Sequence, residues 1–436
     1  MNPETALNAT EAAARMRAGR LAAHEYLRPF LDRIAAREGE IQAWVDFDAG
    51  RALRLAEACE AVEDRTELPL YGIPVGVKDI IDTADLPTQC GSSLYAGRRP
   101  ERDAEVVQRL KRAGAYVMGK TVTAEMAFMH PGPTRNPRHP GHTPGGSSSG
   151  SAAAVAAGFV PLALGTQTNG SIVRPAAYCG VVGIKPTAGS VPGGGCLVFS
   201  STLDQLGAFA RDVDDAALIT SVLVADDQLI EQVRAPLGRA PRLLALRRFP
   251  WNEAEPDAAR HFEETLDRLR AGGAEIEEIA LPDALAEAKT VHRTIMLYEA
   301  AREHAEARVN ARDRLSATLA AALDEGAAMS ADAYREALAA RAAMMESARD
   351  LFEDRDAVLS PSAPGAAPAG LHATGDPSFA TLWSLLGFPA LSLPSGRSAA
   401  GLPFGLQIAA SAGEDALLLR VAKWCETQLA RYAASS

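Results

Sequence analysis

Residues 144–171, PGGSSSGSAAAVAAGFVPLALGTQTNGS, constrain this chain more than any other stretch. A Gly/Ser run of this kind is ordinarily a flexible linker. Here it feeds directly into a small-residue helical run at 151–157 and an apolar strand-like run at 160–164, then ends in a second tight turn at 166–171. Linkers do not lie between core elements in this way, so the segment reads as a built loop. Gly145, Gly146 and Gly150 free the backbone around the hydroxyls of Ser147, Ser148 and Ser149. The turn Thr168–Asn169–Gly170–Ser171 can direct successive N–H groups at one point. Such donors stabilise an oxyanion, each worth ~3 kcal/mol at a transition state. A serine ending the turn stands where a nucleophile is useful.

Two other chemistries share this texture. Residues 146–150 match G-x-S-x-G, the nucleophile elbow, which needs a strand immediately before it. The preceding NPRHPGHTP holds three prolines and is no central strand. The G-x-x-x-x-G-K-[ST] spacing of a phosphate-binding loop is absent.

Along the chain, residues 4–62 read as helices with one extended piece at 41–47. From Tyr71 short apolar runs ending in Gly, Pro, Asp or Thr (72–77, 115–118, 160–164, 181–184) alternate with helical patterns such as 103–113. That alternation predicts a mixed or parallel sheet covered by helices. A strand, helix and strand follow at 242–249, 256–271 and 275–280, then a helical region at 283–355. Strands at 357–359, 390–393 and 404–408 precede a last helix near 414–430. The late strands complete the sheet begun near Tyr71 in the simplest arrangement, one continuous domain over 1–436. Its expected parts are a helical start (1–62), a core (70–215), the helical region and a C-terminal completion (356–436). A split near residue 240 is the alternative.

The 44 Lys+Arg against 55 Asp+Glu argue against general binding to nucleic acid or anionic membranes, so an anionic substrate needs a local basic group. Five cysteines without a C-x-x-C pair fit a reducing compartment. The polar N-terminus lacks a signal-peptide core, and the apolar stretch at 151–165 is too short to span a bilayer. The expected location is the cytoplasm.

The catalytic base is the next question. His130, His139 and His142 lie among prolines, without a zinc-ligand spacing. Lys78 ends the apolar run 72–77 and precedes Asp79, Ile80 and Ile81. From this segment alone, a salt-bridged lysine at a strand end is the plain reading.

Taken together, the segments resemble the amidase signature family. The matching stretches are GVKDIID (76–82), the Gly/Ser loop with LALGTQTNGS, RPAAYCGVVGIKPT (174–187), SAPGAAPA (362–369), GDPSFATLWSLLGFPALSLP (375–394) and GLPFGLQIAA (401–410). They span most of the chain from Leu70 onward. The resemblance is greatest to the bacterial malonamidase-like branch, on length and on the GTQT and GS-x-x-RPAAYCG wording. It implies a single α/β/α domain around a large mixed β-sheet and an amidase without cofactor or metal. The catalytic lysine falls on Lys78, the bridging serine, in a cis peptide linkage, on Ser147, and the nucleophile on Ser171. Thr168, Asn169, Gly170 and Ser171 supply the oxyanion-binding amides, and Ser148 and Thr166 support the network. Residues 196–202 and the helical region 283–355 are expected to shape the pocket.

The chemistry can be stated independently of the family. An unperturbed lysine titrates near ~10.4 and is almost wholly ammonium at pH 7. Neutralising it costs ~4 kcal/mol against the charged form, which burial can supply. Neutral Lys78 would take the proton of Ser147 as Ser147 takes that of Ser171, and attack on an amide carbonyl would give an acyl-enzyme that water releases.

The chain departs from the family at two positions. Asn169 stands where most members have Gly, so a side chain narrows the acyl pocket or adds a hydrogen bond. Val173 stands where the common pattern has Arg, and Arg174 follows it, as in the malonamidase-like branch, where that arginine holds a substrate carboxylate. The alternative for Arg174 is pairing with a structural acid. The expected substrate is therefore a small amide bearing a carboxylate, malonamate-like first and a ureido or biuret-type acid second. The expected partners are this substrate and, at most, a second copy of the chain. The alternative function is the ammonia-releasing glutaminase component of a tRNA-dependent amidotransferase complex. Such components are generally longer and usually carry Asp and Gly where Gln167 and Asn169 stand.

Overall fold

Short apolar runs ending in a turn residue become the strands of a mixed sheet in the computed structural model, which describes residues 7–433. In chain order the strands are β1 (Trp44–Phe47), β2 (Pro74–Lys78), β3 (Tyr116–Thr121), β4 (Leu162–Gln167), β5 (Val182–Lys185), β6 (Gln205–Ala210) and β7 (Arg242–Leu246). They continue with β8 (Arg248–Phe249), β9 (Asn252–Glu253), β10 (Glu275–Ile279), β11 (Ala357–Pro361), β12 (Ala390–Arg397) and β13 (Pro403–Ala409). Eleven of these form one sheet in the order β1-β3-β2-β4-β6-β5-β12-β13-β11-β7-β10. β2 runs parallel to β3 and β4, and β7 parallel to β11 and β10; the remaining pairs are antiparallel. Because β12, β13 and β11 bridge β5 to β7, the chain on either side of residue 240 builds a single sheet. The expected α/β architecture with a large mixed sheet is the observed one.

Alternation along the strands divides the apolar core. Leu243 and Ala245 of β7 join one buried cluster, which also holds the helices Ser149–Ala156, Val213–Val224 and Asp415–Ala433. Leu244 and Leu246 join a second, built with Ala288–Glu303, Ala317–Ala328 and Thr381–Leu386. Period-two alternation with both faces apolar requires a helical layer on each side. Among the described residues all five cysteines are free, and no helix is long and apolar enough to cross a membrane.

Local details differ from the expected elements. The strand expected over 242–249 breaks after Leu246, because Arg248 and Phe249 turn back through Pro250–Trp251 to pair with β9 outside the main sheet. β6 and the helices Val173–Cys179 and Val213–Val224 have no counterpart among the expected elements. Of the helical start, residues 1–6 lie outside the described residues.

Candidate active site

β2 and β4 are parallel neighbours with Val77 opposite Leu164, so both strands end at the same edge of the sheet. Lys78, the last residue of β2, is fully buried. Its Nζ lies 2.8 Å from Ser147 Oγ and 2.7 Å from Thr166 Oγ1. Among the described residues no carboxylate reaches ion-pair distance of it. The salt-bridged lysine is instead Lys120 on β3, with Nζ 3.8 Å from Asp79 Oδ1 and donating to Ile81 O and Thr88 Oγ1. Burial pushes Lys78 down to about 7; the Asp204 carboxylate pulls the other way and is outweighed.

The serine loop is held against this strand end by backbone proximity. The peptide bond between Gly146 and Ser147 is cis. A Cβ on Gly150 would sit 2.3 Å from both Ala43 O and Val122 N, so only glycine fits there. The helix Ser149–Ala156 is stitched to the sheet by Ser151, whose Oγ donates to Leu164 O at 2.8 Å. Ser148 Oγ donates to Thr166 O at 3.1 Å and accepts from Thr166 N at 3.3 Å. Thr166 is thus fixed through its main chain while its hydroxyl meets Lys78. Residues 136–144 before the loop contain no strand, so the nucleophile-elbow geometry is not formed.

The turn after β4 carries the next group of expected residues. Gln167 Oε1 accepts from Ile172 N (2.8 Å) and Val173 N (3.0 Å), capping the helix Val173–Cys179. Its Nε2 donates to Ser384 Oγ at 2.9 Å. The side chain of Asn169 is engaged, its Oδ1 accepting from Thr381 Oγ1 at 2.7 Å. Ser171 ends the turn, 7% exposed, and its hydroxyl bonds to no described residue. No hydrogen bond joins Ser171 Oγ to Ser147 Oγ. The amides of Asn169, Gly170 and Ser171 likewise donate to no described group.

Arg174 is 1% exposed, and Nη2 donates to Gly146 O (2.5 Å) and Thr374 Oγ1 (3.2 Å). Nε and Nη1 are buried without a partner. Among the described residues no acid pairs with it, so the structural-acid alternative finds no counterpart here. Burial lowers it to about 10, leaving it a cation at neutral pH.

Sequence reasoning did not find four of the turn's neighbours. Thr168 Oγ1 donates to Asp204 Oδ1 at 2.6 Å, and Asp204 Oδ2 accepts the amides of Phe199 and Ser200. His292 Nε2 donates to Thr168 O at 2.9 Å, and Ser384 and Thr381 hold Asn169. The only signal for Asp204 is its place beside residues 196–202, which are expected to shape the pocket. His139 and His142 form a pair in the proline-rich loop, with Nδ1 atoms 2.9 Å apart. Among the described residues no group of three or more His, Cys, Asp or Glu is placed to hold a metal.

Known proteins resemble this chain in sequence and in fold. The family model described as Amidase matches residues 25–419. The A subunit of glutamyl-tRNA(Gln) amidotransferase from Koribacter versatilis (strain Ellin345) is 34% identical over 451 residues, covering 92% of this chain and 94% of that protein. Its counterpart from Roseiflexus castenholzii (strain DSM 13941 / HLO8) is 36% identical over 475 residues, covering 97% and 95%. Among solved structures, a crystal structure of an amidase superposes with a TM-score of 0.88 at 32% identity, covering 97% of this chain and all of that one. The native peptide amidase from Stenotrophomonas maltophilia superposes with a TM-score of 0.81 at 29% identity, covering 98% of each chain. With the site geometry and these likenesses in agreement, the chain belongs to the amidase signature family, enzymes that hydrolyse carbon–nitrogen bonds.

Proposed function

We propose that this enzyme cleaves a small amide through an acyl-enzyme on Ser171, with Ser147 relaying the proton and uncharged Lys78 receiving it. One observation carries the reading: a fully buried amine, without an acid partner, 2.8 Å from the hydroxyl of Ser147. A lysine lowered to about 7 is about half uncharged at pH 7, and the uncharged amine can accept a proton. As Ser171 Oγ bonds to the amide carbon, its proton passes to Ser147 and that of Ser147 to Lys78. The carbonyl electrons move onto oxygen, facing the unpartnered amides of Asn169, Gly170 and Ser171. Collapse breaks the C–N bond, and the proton on Lys78 returns through Ser147 to the leaving amine. Water then repeats the sequence to release the acid. No step calls for a metal or cofactor.

The acyl portion carries a carboxylate in this reading. Support comes from Arg174, a buried cation with two unpartnered donors beside Gly146, a residue of the serine loop. Nε and Nη1 lie on different sides of the guanidinium, so each would give a carboxylate a single charge-assisted hydrogen bond.

A second reading concerns which amide this is. The curated relatives named above are A subunits of amidotransferases, which favours glutamine as donor and a role in a tRNA-dependent amidotransferase complex over a malonamate-like or ureido substrate. The malonamidase-like branch is not favoured by these relatives. The stand-alone reading keeps one local argument, the use of both ends of the Gln167 carboxamide, where an aspartate would have no donor for Ser384. Both readings fit a cytoplasmic protein with free thiols.

The test is fluorophosphonate labelling of the purified chain, with hydrolysis of glutamine, malonamate, a ureido acid and propionamide measured without ATP. The proposal expects labelling and turnover to vanish in Ser171→Ala. Labelling that persists in Ser171→Ala would overturn the assignment of the nucleophile. Turnover of malonamate but not glutamine would reject the amidotransferase reading.

A further inference from the structure

Three of the four amides expected at the oxyanion, those of Asn169, Gly170 and Ser171, each belong to a peptide plane whose carbonyl is held on its far side. The bonds joining residues 168 to 171 are trans, so the C=O of one residue and the N–H of the next point in opposite directions. Thr168 O accepts from His292 Nε2 at 2.9 Å, and its plane carries the N–H of Asn169. Asn169 O accepts from the hydroxyl of Ser384, and its plane carries the N–H of Gly170. Gly170 O accepts from Arg174 N at 3.0 Å, the first helical bond of Val173–Cys179, and its plane carries the N–H of Ser171.

The third of these bonds follows from the helix itself. The first two come from side chains 124 and 215 residues away in sequence, on the helices Ala288–Glu303 and Thr381–Leu386. We propose that His292 and Ser384 are positioning residues that aim the Asn169 and Gly170 amides at the oxyanion by holding the carbonyls behind them. This rests on Ser171 being the nucleophile.

The chemistry of the two groups suits the task. A carbonyl only accepts, so Nε2 of His292 carries its hydrogen. Burial lowers this imidazole to about 4, which keeps it neutral and adds no charge behind the turn. Ser384 Oγ accepts from Gln167 Nε2 at 2.9 Å, which orients its own hydrogen toward Asn169 O. A hydrogen bond accepted at C=O also polarises the N–H across the same peptide, strengthening it as a donor.

The test uses the full chain and the rate at which a fluorophosphonate labels Ser171. In that reaction Ser171 Oγ bonds to phosphorus, its proton passes through Ser147 to Lys78, fluoride leaves, and the phosphoryl oxygen occupies the oxyanion position. His292→Leu should slow labelling, and kcat on any amide turned over, by about tenfold or more. KM should stay within about threefold, and the pH midpoint should not move, because Lys78 is untouched. His292→Gln, whose amide N–H reaches a similar point, should restore most of the rate. Ser384→Ala should independently slow labelling. An unchanged rate in His292→Leu would overturn the proposal, as would equal losses in the Leu and Gln variants with equal drops in thermal stability. If His292→Leu does not fold, an unchanged rate in Ser384→Ala overturns it instead. Labelling that survives Ser171→Ala would refute the nucleophile assignment on separate grounds.

Discussion

Lys78 Nζ lies 2.8 Å from Ser147 Oγ, while the acid that the next residue offers, Asp79, is taken by a different lysine, Lys120, at 3.8 Å. That division leaves the Lys78 amine without an acid partner among the described residues and free to titrate. Hydrolysis should therefore rise with pH through a midpoint near about 7 and level off above it. Only the uncharged amine accepts a proton, so the rate should fall by about tenfold per pH unit well below the midpoint. A kcat profile across pH 5–10 checks this, and a flat profile across pH 6–8 contradicts it.

The same amine has a cost that depends on pH. Burial sets its folded value at about 7, whereas an unfolded lysine titrates near ~10.4. Between those values the folded chain binds fewer protons than the unfolded chain, so this group makes folding more favourable as pH rises through the window. Below about 7 its full penalty applies. Lys78→Met should abolish activity and gain most stability over the parent near pH 6, with the gain shrinking toward pH 10. Urea midpoints of both proteins across that range measure it.

Thr166→Val removes the other oxygen touching the amine, 2.7 Å away. An acceptor favours the ammonium form, so its loss should move the activity midpoint to lower pH. The kcat of this variant should also fall, since one group orienting the amine is gone. An upward shift of the midpoint would contradict the assigned contact.

Arg174→Ala should discriminate between substrates. Truncating a buried charged partner costs about 2–5 kcal/mol, so kcat/KM on a carboxylate-bearing amide should drop by about 30-fold or more. Propionamide should lose less, through disturbance of Gly146 and Thr374 alone. Equal losses on both would remove the carboxylate-holding role.

Gly150→Ala tests the packing beneath the serine loop. Its Cβ would sit 2.3 Å from two backbone atoms of neighbouring segments, which cannot move as a flexible side chain would. Overpacking of this sort costs about 1–3 kcal/mol or more. A lowered urea midpoint, with weaker labelling of Ser171, is the expected result.

Much of this site is legible in the order of residues because its parts are local. Lys78 ends an apolar run, and the serine loop and the 168–171 turn are contiguous motifs that bracket a helix and a strand. β6 is hidden because QLGAFA has no β-branched residue and contains a glycine; Gly207 lies against the backbone of β5, where a Cβ would be 2.1 Å from Ile184 O. The helix Val173–Cys179 is masked by its shortness and by Pro175. His292, Asp204 and Ser384 cannot be assigned from pattern at all. Each acts on the turn from 36 to 215 residues away, and their partners are backbone atoms or a hydroxyl, which leave no mark on sequence spacing.

The most direct measurement is titration of the Lys78 side chain itself, by NMR of the lysine Cε carbon in ¹³C-lysine-labelled protein, with the resonance assigned by its loss in Lys78→Met. The resonance should titrate with a midpoint near about 7. A Lys78 that remains an ammonium up to pH 9 would contradict the account, because no uncharged amine would then be present to accept the proton of Ser147.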